Sequence, residues 1–547
     1  MLLRRGYVLI AILAVVLLAL AVLSARTKPL TSFTTAHFSG SGVCALCHRG
    51  LRDAAGVDRS IDTHWRSTMM ANAARDPYFL AKVSSEVLLH PSIRNVIEDK
   101  CAVCHMPMAR TQAKADDQAV ALLQPGFLRP DHELHEAAMD GVSCTLCHQI
   151  QAQDLGTAKT FSGEYAIDAT TARPDRLIYG PFPEPVQELM REIAGFTPIQ
   201  GDQVVNAGLC GACHTLYTPY LDAQGNVLGE FPEQTPYLEW QHSAYSSGSE
   251  QEACQSCHMP EVEGEMRISE RPRAGLVPPR DAFAQHHFVG GNAFMIELFK
   301  ANVNELGLTA STEQLDGTLG RVLNQLRNNA VELAMVDAEL AGSTLNLKLR
   351  LQNKAGHKLP AGFPSRRAWL HVKVVAASGQ VVFESGKPRV DGTIAGADAD
   401  ADAAAFERHY DVVTSEDQVP IYESVMHDIE GAVTYTLLKA AGYLKDNRLL
   451  PQGFDKATAG DDFRTKGVAA VDENFSGGVD EVTYQIDTTG RSGPFEILVE
   501  MLYQSISYGF IRDLQLHDTD LVNEFLGYYE EMDKMPVVIA TLEMTVH

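Results

Sequence analysis

The hydrophobic pattern takes four successive forms along the chain. Residues 7–23, "YVLIAILAVVLLALAVL", are unbroken apolar sequence behind Arg4 and Arg5. From about 26 to 293 apolar residues come in short clusters only. One helical piece is "NAARDPYFLAKVSSEVLL", and long irregular links join such pieces. Between 294 and 337 the apolar positions fall at three-and-four spacing, in "FMIELFKANVNELG" and "LDGTLGRVLNQLRNNAVELAMVDAEL", which predicts helices. After 338 the period becomes two. Leu345, Leu347, Leu349 and Leu351 share one face of "TLNLKLRLQN", and "AWLHVKVV", "EVTYQID" and "FEILVEMLYQ" alternate in the same way. Such strands, separated by glycine-rich loops, predict an Ig-like β-sandwich over 338–547. The fold class expected is therefore α+β multidomain: a mainly helical and irregular domain (26–293), a helical connector (294–337) and the sandwich.

The leading apolar run is an export signal. It is long for the apolar part of a cleaved signal peptide and only just long enough to span a bilayer, so residues 1–25 read as signal peptide or membrane anchor, with the anchor favoured. In both cases the arginines stay inside and the body lies on the periplasmic side of the cytoplasmic membrane. At 547 residues with a net charge of -25, the chain is not suited to nucleic acid; the acidity reads first as plain solubility, and secondarily as a field that would steer a basic redox partner towards the chain. The acidic loop "GADADADAAAFE" spaces Asp398, Asp400 and Asp402 like the start of a calcium loop. It lacks the glycine and terminal glutamate of one, and reads as a solvated alanine-rich link.

Cysteine usage adds the chemistry. All ten cysteines fall in five copies of Cys-x-x-Cys-His: Cys44-Cys47-His48, Cys101-Cys104-His105, Cys144-Cys147-His148, Cys210-Cys213-His214 and Cys254-Cys257-His258. Two thiols can add to the two vinyl groups of one porphyrin while the adjacent imidazole reaches the iron, which makes this spacing a haem c attachment signal. Zinc needs ligands in fours, and a disulfide framework needs no histidine after every second cysteine. The expectation is five covalently attached haem c groups. With porphyrins supplying much of the apolar core, haem binding and folding of residues 26–293 should be coupled.

Each motif histidine gives one axial bond and leaves a distal position. The non-motif histidines in reach are His37, His64, His90, His132, His135, His242, His286, His287 and His357. His64, His135, His286, His90, His242 and His357 are the selected candidates, with His357 a remote case in which a sandwich loop caps a haem. His371, His409, His427 and His517 belong to the sandwich and are not expected to ligate. Met106 and Met259, directly after motif histidines, are expected to pack on porphyrin. Met69 or Met70 as a ligand would raise the potential of its haem. An internal echo, Trp65 with Thr68 after the first motif and Trp240 with Ser243 after the fourth, points to a duplicated two-haem module.

These residues resemble the multihaem cytochrome c family, in particular proteins related to the tetrahaem cytochromes that accept electrons from hydroxylamine oxidoreductase. The resemblance lies in the five motifs, the Trp-x-x-Ser/Thr segments, "DGVSCTLCHQI" at 140–150, "CHMP" at 104–107 and 257–260, "HHFVGGN" at 286–292 and "NKAGHKLPAGFPSRRAWLHV" at 353–372. It implies electron transfer through closely packed, mostly bis-histidine haems. Membrane-side and extracytoplasmic redox proteins would be the partners, either other cytochromes or a membrane quinol-linked complex. The family segment commonly reads Trp-x-x-Ser-x-His with a distal-ligand histidine, whereas Met70 and Tyr245 stand at those positions here. That departure keeps a second reading open: a reductase or oxidase of a small nitrogen or sulfur compound, acting at an iron with a free position.

Overall fold

Alternating leucines become a paired strand. The computed structural model describes residues 28–222, 224–271 and 275–547, so the reading of residues 1–25 as signal or anchor lies outside the described residues. Among the described residues no helix is long and apolar enough to cross a membrane. The chain is α+β and multidomain. Strand Thr344–Asn353 lies between Val331–Ala341 and Val479–Asp487, both antiparallel to it, and Val412–Val413 adds a parallel edge. In the second sheet Phe495–Gln504 pairs with Arg367–Val375 and Val537–Val546, while Ile421–Tyr422 and Val381–Ser385 flank Arg367–Val375. Leu345, Leu347, Leu349 and Leu351 are fully buried and share one core with Leu370, Val372, Val482, Ile497 and Val499. That is a two-sheet sandwich. It carries additions the alternation does not reveal, the helices Tyr508–Leu514 and Asp520–Glu531 between its last two long strands.

The connector begins as expected, with helices Ala293–Ala301 and Thr312–Asn329. The second is closed at its start by a capping box in which Ser311 and Gln314 bond reciprocally. The expected helical stretch nevertheless ends early: Val331–Ala341 is a strand, so the sandwich starts at Val331 rather than at 338. In "VELAMVDAEL" the three-four and alternate spacings coincide. Pairing with Thr344–Asn353 across the turn at Gly342 (φ +67°) settles the outcome.

The acidic loop also departs from expectation. Asp398–Ala401 is a short helix, and Asp400 is buried, with both carboxylate oxygens on the Arg367 guanidinium at 2.7 and 3.0 Å. The buried Arg367 needs a carboxylate partner, and the loop supplies it.

The N-terminal unit is a set of short helices with a hairpin, Leu216–Leu221 with Val227–Gln234, and a parallel strand pair, Leu177–Gly180 with Thr197–Gln200. Its helix Pro77–Leu89 starts at Asp76, whose side chain accepts from Tyr78 N and Phe79 N. The polar residues of this helix are buried rather than solvated. Lys82 pairs with Asp513 at 3.2 Å, Ser85 meets His517 at 2.7 Å, and Glu86 accepts from Leu437 N at 2.7 Å. Tyr78, Phe231, Met295, Phe510 and Phe525 form a common core across these segments. The sandwich thus packs firmly against the motif-bearing unit.

Candidate multihaem site

Each motif lies on or at the end of a short helix: Ser41–Ala45, Arg94–His105, Cys144–Cys147, Ala207–Gly211 and Cys254–His258. Where the helix spans both cysteines, as at Cys101 and Cys104, Cys144 and Cys147, and Cys254 and Cys257, the three-residue spacing puts both thiols on one face. All ten cysteines and all five motif histidines line one continuous cavity of about 2210 Å³. An ordinary ligand pocket occupies about 300–1,000 Å³. The ten thiols are free; Cys257 is exposed and the other nine are half-buried.

The motifs pair in space, not in sequence order. The Cys44 thiol lies within hydrogen-bonding reach of Cys144, Cys210 of Cys254, and Cys213 of Cys104. Helix Ser41–Ala45 packs on Cys144–Cys147, and Ala207–Gly211 on Cys254–His258. Cys147 lies near both Cys210 and Cys213. The resulting order is first, third, fourth and fifth motif, with the second beside the fourth. Burial pushes the Cys147 thiol up to about 12 and the Cys101 thiol higher.

Four of the five motif imidazoles are oriented by the same device. Nδ1 donates to a backbone carbonyl: His48 to Ile268 at 2.7 Å, His105 to Ala73 at 3.3 Å, His148 to Tyr179 at 2.6 Å, and His258 to Val289. A proton fixed on Nδ1 leaves the Nε2 lone pair for a metal. Burial lowers the pKa of all five, to about 4 for His105 and His214, so the rings are neutral at neutral pH. The Phe79 ring stacks on His105 at 3.5 Å.

Two motif imidazoles face a second imidazole. The ring centres of His258 and His357 are 6.2 Å apart with planes 19° from parallel; those of His148 and His286 are 6.3 Å apart at 25°. With about 2 Å from metal to imidazole nitrogen and roughly 1.2 Å from there to the ring centre, two imidazoles on opposite sides of one metal sit about 6.4 Å apart. His357 and His286 also turn Nδ1 to carbonyls, of Lys358 at 2.9 Å and Ala284 at 3.2 Å. Among the described residues their Nε2 atoms have no hydrogen-bond partner.

The other selected histidines are placed differently. Among the described residues, the non-motif histidines on the cavity wall are His286, His287 and His357. His64 stands behind the wall, its ring centre 4.5 Å from that of His287. Burial, reinforced by Arg321, lowers both, to about 4 and about 3. His135 binds the Phe127 carbonyl at 2.8 Å and lies off the wall, as does His90. His242 directs Nε2 to the Asp455 carbonyl at 3.0 Å between Phe454 and Phe463, also off the wall. His287 was not selected from the sequence, although its doublet with His286 is the signal that could have found it. Met69, Met70, Tyr245 and Met259 are on the wall, whereas Met106 is buried in the helical core. Among the described residues, His48, His105 and His214 have no facing imidazole at the 6 Å spacing.

The donor set fits haem better than zinc. Among the described residues the one group of three ligand atoms close enough for a small ion is His409, Asp472 and Asp480, none of which lines the cavity. Even there the tautomer is wrong for a metal. Asn447 takes Glu423 N on Oδ1 and donates from Nδ2 to His409 Nδ1, so His409 Nε2 carries the hydrogen and donates it to Asp472 at 3.1 Å.

No family model matches the chain, and no curated protein matches it. Among solved structures it is similar to a penta-heme cytochrome c552 from Thermochromatium tepidum. The two share 17% identity over 92% of this chain and 98% of that chain, with a TM-score of 0.47.

Proposed function

We propose that the chain is a multihaem c-type cytochrome that binds five haem c groups covalently and moves electrons between a membrane-side donor and an extracytoplasmic acceptor. The observation that carries this reading is the convergence of all five motifs on one cavity, with two imidazole pairs spaced for iron. Covalent haem supplies the one-electron couples. The ten cysteines hold the porphyrins by thioether bonds. His48, His105, His148, His214 and His258 would each hold an iron, and His286 and His357 would be second ligands for the irons held by His148 and His258. The backbone carbonyls on Nδ1 of His48, His105, His148, His258, His286 and His357 keep these rings in the ligating tautomer and raise their basicity. An electron relay that followed the packing order of the motifs would run through the first, third, fourth and fifth positions with a branch to the second. Other cytochromes or a membrane quinol-linked complex are the partners, reached from the periplasmic side that the N-terminal sequence implies.

A second reading, reduction or oxidation of a small nitrogen or sulfur compound, is favoured by one observation: His48, His105 and His214 face no imidazole among the described residues. The test is intact mass and pyridine haemochrome content of the matured protein, followed by a redox titration and an assay with hydroxylamine, nitrite and sulfite. Five haems titrating without turnover support the carrier. Turnover at an iron that binds nitric oxide supports the enzyme, and a haem count below five sinks both.

A further inference from the structure

We infer that a buried ionic latch centred on Glu239 positions His357 opposite His258, so that the sandwich both supplies and holds the distal ligand of the fifth motif. This rests on the haem reading above and adds a role for the sandwich. It also assigns a positioning function to residues outside the motifs.

His357 sits in the loop between strands Thr344–Asn353 and Arg367–Val375, the kind of segment that would otherwise be free to move. It is held on both sides. Asn353 Nδ2 donates to the His357 carbonyl at 2.9 Å. The next residue, Lys358, donates its backbone N–H to Glu239 Oε2 at 3.1 Å and pairs its Nζ with Asp446 Oδ2 at 2.7 Å. Arg448 closes the circuit, reaching Asp446 Oδ2 at 2.8 Å and Glu239 Oε1 at 2.9 Å. Two cations and two carboxylates balance, and the side chains of Lys358 and Glu239 are fully buried.

Glu239 comes from the other unit, on helix Pro236–Gln241 between the fourth and fifth motifs. Its neighbour Trp240 donates its indole N–H to the Glu252 carbonyl at 2.8 Å, two residues before Cys254. One helical turn therefore grips both partners of the 6.2 Å imidazole pair: Trp240 the motif that carries His258, Glu239 the loop that carries His357. Buried ion pairs add little net stability over apolar packing, but they impose a geometry. Here the geometry imposed is that of an axial ligand.

The test uses the full, haem-loaded, oxidised protein and reads haem count, melting temperature, low-temperature paramagnetic resonance and cyanide binding. His357→Gly should keep five haems and convert one further iron to a high-spin, cyanide-binding form, which added imidazole returns to low spin. Glu239→Ala should open the same iron about tenfold, the change expected from losing one good hydrogen bond, and leave the other four as they were. The double variant Glu239→Ala/Arg448→Met, which also removes the stranded cation, should recover melting temperature without closing that iron. If Glu239→Ala does not accumulate, Glu239→Gln keeps the acceptor for Lys358 N–H and should give a smaller opening at the same iron. A variant at Glu239 that lowers the melting temperature while every iron keeps its wild-type ligation would overturn the latch, leaving only a staple between units. An unchanged spectrum in His357→Gly would overturn it too. Fewer than five haems in the wild type would instead sink the haem reading on which it rests.

Discussion

Trp65 donates its indole N–H to the carbonyl of Val142 at 3.0 Å, two residues before Cys144, and Trp240 repeats the bond to Glu252, two residues before Cys254. The likeness extends outward. Thr68 and Ser243 each donate a hydroxyl to the tryptophan carbonyl at 2.8 Å. His148 and His258 each find a carbonyl 31 residues further on. The repeated unit is thus first motif, tryptophan, third motif, and again fourth motif, tryptophan, fifth motif. The second motif lies within the first copy.

Equivalent bonds should have equivalent worth. Trp65→Phe and Trp240→Phe keep most of the ring and lose the N–H, so each should lower the stability of the loaded protein by about 1 kcal/mol. Chemical denaturation midpoints measure this, and the two losses should add, because the bonds share no partner. A large loss at one tryptophan with none at the other would contradict the duplication.

Held without a guest, a 2210 Å³ cavity walled largely by apolar side chains leaves those side chains in water instead of packed, which forfeits the burial that stabilises a domain. The chain without haem is therefore expected to lose this shape. Expressed without haem attachment, residues 28–293 should be cut by protease within minutes while the sandwich survives as a resistant fragment, read by mass spectrometry. A protected haem-free N-terminal unit would contradict the coupling of haem binding and folding.

Much of this was legible in the sequence, for reasons that differ by element. The five motifs are local chemistry, complete within five residues each. The leucines of Thr344–Asn353 announce their period because one face is entirely buried. What escaped was set by distance. Nothing near Val331 distinguishes strand from helix, since its partner is Asn353. Asp400 looks solvated until Arg367 is brought to it. Lys82 and Glu86 look like a wet helix face because Asp513 and Leu437 lie hundreds of residues away. The echo was visible, but its pairing of first with third motif was not, because the second motif stands between them.

The ion network should also show in acid. Burial alone would raise Asp446, but Arg448 and Lys358 outweigh it and hold its carboxyl at about 2. A depressed carboxyl contributes stability above its unfolded pKa, near 4, and loses that contribution as pH falls towards 2. Stability of the loaded protein should therefore fall by about 2 kcal/mol from this group between pH 4 and 2. Asp446→Asn should flatten that limb while lowering neutral-pH stability by about 3–5 kcal/mol, since Lys358 and Arg448 are left facing only Glu239. A variant with the wild-type acid profile would show that Asp446 is not the group titrating.

The most direct test of the account is the low-temperature paramagnetic resonance spectrum of the oxidised, five-haem protein before and after nitric oxide. The imidazole planes of His148 with His286 and of His258 with His357 are 25° and 19° from parallel. Near-parallel axial imidazoles give rhombic low-spin signals, so two such signals are expected. Both should survive nitric oxide, with any iron that binds it confined to those carried by His48, His105 and His214. A spectrum lacking rhombic low-spin signals, or one in which nitric oxide removes them, would mean that these imidazole pairs do not hold iron.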